Sequence, residues 1–371
     1  MLSTTGGVSA GGRDPRLDLL RGFCVARMLL VHFGWLGGPL VWPFGVVSAA
    51  EGFFLLSGIT LGRVGRRYAE SGRARELSLR LLRRALWLLF ANTLLVLALR
   101  KLDGSCACPE GVLASFWTET PRWLQIVSFD QPSVLHVLPR YALFLLLTPL
   151  VLAALRAGAG IWVGTLSALL WLGNRTIQGI FELPLLESGT TQFPAASWQL
   201  LFFVGVVAGH RRWGADDRGR LSAAAVAVAV VLAAGFVLLQ QLAMPRLVAT
   251  QRDFLFHFFG REYLGPLRLL NLLAFALVAW WVVDRWWPPI SRWSGWLLQP
   301  LGQHALAAYL LHTPMVWALT CLPAGLRTPL ATPAVAVVLL LLVLALVRLR
   351  PVQRILNPVG SGAPSPPASV T

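Results

Sequence analysis

Charged and titratable side chains inside apolar sequence are the first place to look for chemistry, because at mid-bilayer they persist only with a partner or a polar cavity. His32 stands eleven residues after Arg21, in an apolar run that also holds Arg27, and Glu51 stands in the next run. At the rise of an α-helix, Arg21 to His32 spans about 16 Å and Glu51 to Arg63 about 18 Å, which puts His32 and Glu51 level on antiparallel neighbours. A carboxylate beside an imidazole fixes its tautomer and raises its basicity, as a general base acting on a substrate hydroxyl requires. The same residues allow a second pairing, in which Glu51 neutralises the buried charge of Arg27, and both stay open.

Arg63-Val-Gly-Arg66-Arg67 offers guanidinium forks suited to phosphate groups. It equally fits an ordinary basic cluster against lipid headgroups. His304, Tyr309 and His312 follow near the C-terminal end, the two histidines eight residues apart and so near one helical face. Each histidine reads either as a reacting group or as a hydrogen-bonded packing residue, and His136, close to Arg140, reads the same way. His210 beside Arg211 reads as a cap, and His257 has no evident partner. No group of Cys, His, Asp or Glu has ligand spacing, so no metal is expected.

The elements that must position these residues are helices in lipid. Of the 371 residues 56% are hydrophobic and only 13% charged, with a mean hydropathy of +0.66. Such a surface would aggregate in water. Spanning helices need about 20 apolar residues, and on that criterion ten runs emerge: 19–38, 42–62, 85–99, 134–155, 159–176, 196–210, 221–243, 264–283, 301–321 and 331–348. Sixteen Trp and nineteen Phe supply interfacial anchors and packing.

A formal charge of +16 raises the question of nucleic acid. The arginines punctuate the apolar runs, so nucleic-acid binding is excluded in favour of a topology signal. With both termini cytoplasmic, inner segments hold 21 of the 32 Lys and Arg residues, and the eight on outer loops are balanced by acids. The expected fold is an all-α, polytopic integral membrane protein of about ten helices, N-in and C-in. It has a flexible tail over 1–12, a helical domain over 13–355 and a disordered Pro/Ser/Gly-rich tail over 356–371.

The first apolar run, with Arg27 inside, reads as a retained helix and not a cleaved signal. The stretch Trp286 to Trp296 reads as an interfacial segment. Two long outer loops, Lys101 to Pro132 and Asn174 to Ala195, carry aromatic residues suited to sugar rings or to interfacial anchoring. Cys106 and Cys108 share the first of these and imply no disulfide framework.

The blocks Arg13-Asp-Pro-Arg-Leu-Asp18-Leu-Leu-Arg21-Gly22 with His32, Ser48-Ala-Ala-Glu51-Gly-Phe-Phe-Leu-Leu-Ser57-Gly58, Leu138-Pro139-Arg140-Tyr141, Trp198-Gln199-Leu-Leu-Phe-Phe-Val-Gly205 and Leu264-Gly-Pro-Leu-Arg268 occur in that order. Together they resemble the membrane acyltransferase-3 superfamily and, within it, the OpgC family of glucan succinyltransferases, from Arg13 to about Arg350. The resemblance implies a bacterial inner-membrane enzyme that moves an acyl group, succinyl in that family, from cytoplasmic acyl-CoA to a hydroxyl of a periplasmic glucan.

By the same resemblance Arg21 and His32 match the superfamily's arginine and histidine pair, expected to be catalytic, and Arg63 and Arg66 match its second-loop arginines, associated with the acyl-CoA donor. The expected mechanism places CoA phosphates on Arg63, Arg66 and Arg67, uses His32 as base with Glu51 orienting it, and offers Arg27, Arg140 or Arg268 to a succinyl carboxylate, with His312 also lining the substrate site. Expected partners are the glucan or a related glycan, the lipid bilayer and, as an open question, a second copy of the chain. A transporter or flippase of a glycan or lipid is the rival reading, as is the same transfer to another extracytoplasmic acceptor.

Overall fold

A computed structural model describes residues 14–34, 44–103, 137–177, 180–181, 193–211, 222–320 and 331–356. Among these the chain is entirely helical and irregular, with no strand. The first helix, α1 (Pro15–His32), starts where Asp14 caps it, its carboxylate accepting from the Arg16 amide at 3.1 Å, and where Pro15 needs no hydrogen bond. It stops at His32 because Gly34, with φ +90°, turns the chain back, its amide donating to the Val31 carbonyl. The expected run of 19–38 placed His32 deep inside the first helix; the helix in fact begins earlier and ends on that residue.

α2 (Ala49–Glu70), α3 (Ala74–Asp103), α4 (Val137–Arg156), α5 (Gly160–Thr176) and α6 (Ala195–His210) follow. The third helix is far longer than the expected 85–99. Its opening turns are charged, linked by Arg73–Glu76 and Arg80–Glu76 pairs at 2.7 and 2.6 Å, so an apolar window detects only its later part. Next come α7 (Ala223–Leu238), a π-helical turn (Leu239–Ala243), α8 (Met244–Thr250), α9 (Arg252–Phe259) and α10 (Pro266–Arg285). The chain closes with α11 (Trp287–Gln303), α12 (Ala305–Thr320), α13 (Ala331–Arg348) and α14 (Arg350–Leu356).

Each of the ten expected runs contains a described helix, although the second becomes helical only at Ala49 and the ninth is broken at His304. The segment from Trp286, expected to lie at the interface, is a full helix that packs on α1 and keeps Trp293 exposed. Four described helices are long and apolar enough to cross a bilayer, or five when the pair Thr332–Arg348 and Arg350–Leu356, bent by 84°, counts as one. The chain is a multi-pass membrane protein. The tail over 1–12, residues 357–371, His136, the Cys106/Cys108 loop and Cys321 lie outside the described residues, while Leu356, expected to open the disordered tail, ends α14.

Two glycine-lined seams bring backbones together. Along α2 and α6, a Cβ on Gly58 would strike the Phe202 carbonyl, and one on Gly62 the Val206 carbonyl. In return, Gly205 and Gly209 lie against the carbonyls of Leu55 and Ile59. Between α1 and α11, Gly22 abuts the Leu298 carbonyl and Gly302 that of Asp18. In lipid, where apolar side chains gain little by exchanging acyl chains for one another, such close backbone approach is a means of helix association. An aromatic layer of Phe54, Tyr141, Phe144, Trp198 and Phe202, with ring centroids 5.5–6.4 Å apart, fills the space between α2, α4 and α6.

Candidate active site

The antiparallel pair α1 and α2 has two polar ends. One end gathers the N-terminus of α1 with the C-termini of α2 and α10. There Arg63 pairs with Asp14 at 2.6 Å and lies over the Trp280 ring, Arg16 pairs with Asp284, and Arg66 donates to the Arg211 carbonyl and faces Glu70 at 3.8 Å. Arg67 is half-buried beside them. Arg63, Arg66 and Arg67, expected to hold the donor, lie together at this end, and the first two hold internal partners there.

The opposite end gathers the last turn of α1, the first turns of α2 and α10, and the middle of α12. His32, half-buried, lies with its Nδ1 2.8 Å from Nε2 of His312, the rings stacked with centroids 5.0 Å apart. His312 is wholly buried, and its Nδ1 lies 2.5 Å from the Tyr309 carbonyl. That carbonyl can only accept, so a neutral His312 must carry its proton on Nδ1 and present a bare Nε2. His32 then donates from Nδ1, which leaves its own Nε2 with the lone pair. A chain of three groups fixes the tautomer of His32.

Glu51 was expected to do that orienting, and it does not. Its carboxylate accepts from Arg268 Nε at 2.5 Å and from the Ser48 hydroxyl, in full burial. Helix rise sets depth correctly but says nothing about azimuth, and a buried carboxylate is held best by a full cation with ideal hydrogen bonds. The cation that bonds Glu51 directly is Arg268, where Arg27 was the expected alternative. Arg27 donates to the Val47 carbonyl at 3.0 Å and lies 4.5 Å over the Phe44 ring. Arg268, expected to hold a substrate carboxylate, already holds Glu51 and also donates to the Phe259 carbonyl at 3.1 Å.

Arg21 is not brought to His32. It lies about eleven residues down α1, donating through Nε to the Gly302 carbonyl at 2.8 Å and pairing with Asp18 at 3.3 Å, so it ties α1 to the end of α11. Arg140, fully buried on α4, donates to the Phe193 carbonyl at 3.1 Å. His304 is the break between α11 and α12 and does not share the helical face of His312 as expected, because helix geometry is interrupted between them.

Two groups were missed by sequence reasoning. Asn271, wholly buried, accepts from the Val46 amide at 2.9 Å and supports the turn at Gly45, where φ is +62°. Arg261, in the connector before α10, approaches the same centre. Its only sequence signal is its position just before the block that contains Arg268.

The described pattern of blocks is decided by comparison with known families: the family model for OpgC protein matches residues 13–352. This chain belongs to the OpgC family. Comparison with curated proteins and with solved structures returned no match. The OpgC match runs from the cap of α1 into α14 and so takes in both polar ends and both glycine seams.

Proposed function

We propose that this OpgC-family chain is an O-acyltransferase that moves an acyl group, succinyl by family likeness, from acyl-CoA to a hydroxyl of a periplasmic glucan. Family membership supports glucan modification, and the observation that carries the chemistry is the Tyr309 carbonyl–His312–His32 chain. His32 Nε2 takes the proton from the acceptor hydroxyl as its oxygen attacks the thioester carbon. The carbon–sulfur bond breaks, and the departing thiolate recovers that proton as free CoA. His312 is a positioning residue in this reading.

The CoA phosphates rest on Arg63, Arg66 and Arg67 at the other end, where the internal pairs are partly exposed and exchangeable. About 18 Å of α2 separates Glu51 from Arg63, and an extended pantetheine arm crosses such a distance. Ten spanning segments with both termini inside, in the bacterial inner membrane, fit this arrangement, since the donor then enters from the cytoplasm and the acceptor from outside.

The test uses membranes containing the full chain, labelled succinyl-CoA and periplasmic glucan. Wild-type protein is expected to transfer label to glycan, and His32→Ala to lower the rate by about 10²- to 10⁴-fold while inserting normally. Label-free glycan with the wild type would favour a transporter of the glycan, and unchanged transfer by His32→Ala would remove that residue from the mechanism.

A further inference from the structure

Among the described residues, the histidine end holds a second cation beside the Glu51–Arg268 pair. Arg268 is satisfied by Glu51, yet a further arginine, Arg261, reaches the same region from the connector over residues 260–265. That connector is a built element. Trp198 Nε1 donates to the Glu262 carbonyl at 3.2 Å, and Trp171 Nε1 reaches the carbonyls of Tyr263 and Leu264 at 3.0 and 3.1 Å. The Gly265 amide closes back on the Gly260 carbonyl at 3.0 Å, and Arg268 holds the Phe259 carbonyl. Leu264 is the one described non-glycine residue with positive φ, +50°, and it is fully buried. Strained backbone fixed by two indoles and a guanidinium is the kind of arrangement that surrounding structure maintains to aim a side chain.

What is aimed is a cation. The Arg261 guanidinium lies 4.5 Å over the Phe193 ring, and its Nε is buried without a hydrogen-bond partner among the described residues. Its charged and polar neighbours are Glu51, already engaged by Arg268, together with Arg268 itself, Glu262 and Tyr309, the residue whose carbonyl anchors His312. Burial also pushes the guanidinium below its ordinary pKa, against the opposing pull of Glu51 and Glu262. A buried donor left unpaired is costly unless something completes it.

We propose that Arg261 is a specificity-determining residue that receives a free carboxylate at the far end of the acyl group, so that the site selects a dicarboxylic acyl donor over a plain one. This rests on the acyl-transfer reading above. The planar guanidinium supplies two parallel donors to a carboxylate, whereas an acetyl group would leave it unpaired.

The experiment compares succinyl-CoA with acetyl-CoA as donors to the same glucan, in membranes holding wild type, Arg261→Met, Arg261→Gln or Arg261→Lys. Wild type is expected to prefer succinyl-CoA. Arg261→Met and Arg261→Gln are expected to lose about ten- to a hundredfold in kcat/KM for succinyl-CoA and to keep their rate with acetyl-CoA, which also shows that the variants fold. Arg261→Lys is expected to retain part of the preference. A wild type active with both donors but without preference overturns the proposal. So does an Arg261→Met or Arg261→Gln variant whose preference is unchanged, or whose rates fall equally with both donors while Arg261→Lys falls likewise. A wild type that transfers neither acyl group instead overturns the acyl-transfer reading itself.

Discussion

The two polar ends of the α1–α2 pair use the same residue types in opposite ways. At the arginine end, Arg63 and Asp14 keep about a quarter of their side-chain surface exposed, and Asp284 opposite Arg16 keeps nearly half. Pairs of this kind are worth only about 0–1 kcal/mol and exchange readily for a ligand's anions. At the histidine end Glu51 is fully buried against Arg268, and His312 is sealed behind His32. Breaking a buried pair on one side strands a charge, so these partners are fixed. The difference teaches that exposure, more than residue type, separates a surface whose arginines can exchange partners from a centre whose partners are fixed.

The comparison can be broken most forcefully at Glu51. Replacing it by Ala leaves Arg268 uncompensated and is expected to cost about 3–5 kcal/mol of stability, read as a lower melting temperature of detergent-extracted protein. Glu51→Ala combined with Arg268→Met is expected to recover most of that loss. A smaller effect is expected from His312→Ala, which leaves the His32 tautomer unspecified. It should lower kcat by about ten- to a hundredfold, the low end of what a well-placed proton-transfer partner contributes, with KM for acyl-CoA unchanged. His312→Gln, whose amide oxygen can accept from His32, should restore part of it; equal loss in both variants would mean that His312 only packs.

The glycine seams offer a control remote from either end. Gly62→Ala drives a Cβ into the Val206 carbonyl and should destabilise by about 1–3 kcal/mol through forced helix separation, visible in the same melting assay. The smallest stability effect belongs to the exposed end. Arg63→Gln should change stability by less than about 1 kcal/mol and yet raise KM for acyl-CoA, with a weaker salt dependence than wild type. An unchanged KM would detach the donor phosphates from this cluster.

Much of this organisation was legible in the chain because the bilayer imposes one-dimensional rules. Apolar runs of sufficient length must be helices, and each of the ten runs contains a described helix. Where reading by composition fell short, the cause was local chemistry: α3 extends through charged turns that pair with one another, and α11 is a helix despite Pro288, Pro289 and four tryptophans from Trp286 to Trp296. Gly34 ended α1 at His32 by backbone conformation, which hydropathy does not register.

At the site, His32, Glu51, Arg268 and His312 were all recognisable by type and depth, because a charged or titratable group in apolar sequence is conspicuous. Their pairing was not. Helical rise is fixed by the backbone and can be counted along the sequence, whereas azimuth depends on which helices touch, and that is set by the glycine seams and the aromatic layer. The sequence by itself therefore determined that this is a helical membrane protein with polar groups at two levels. Only the tertiary structure decided that Glu51 belongs to Arg268, that His32 belongs to His312, and that Arg261 enters their company from a connector more than 200 residues beyond His32 and Glu51 along the chain.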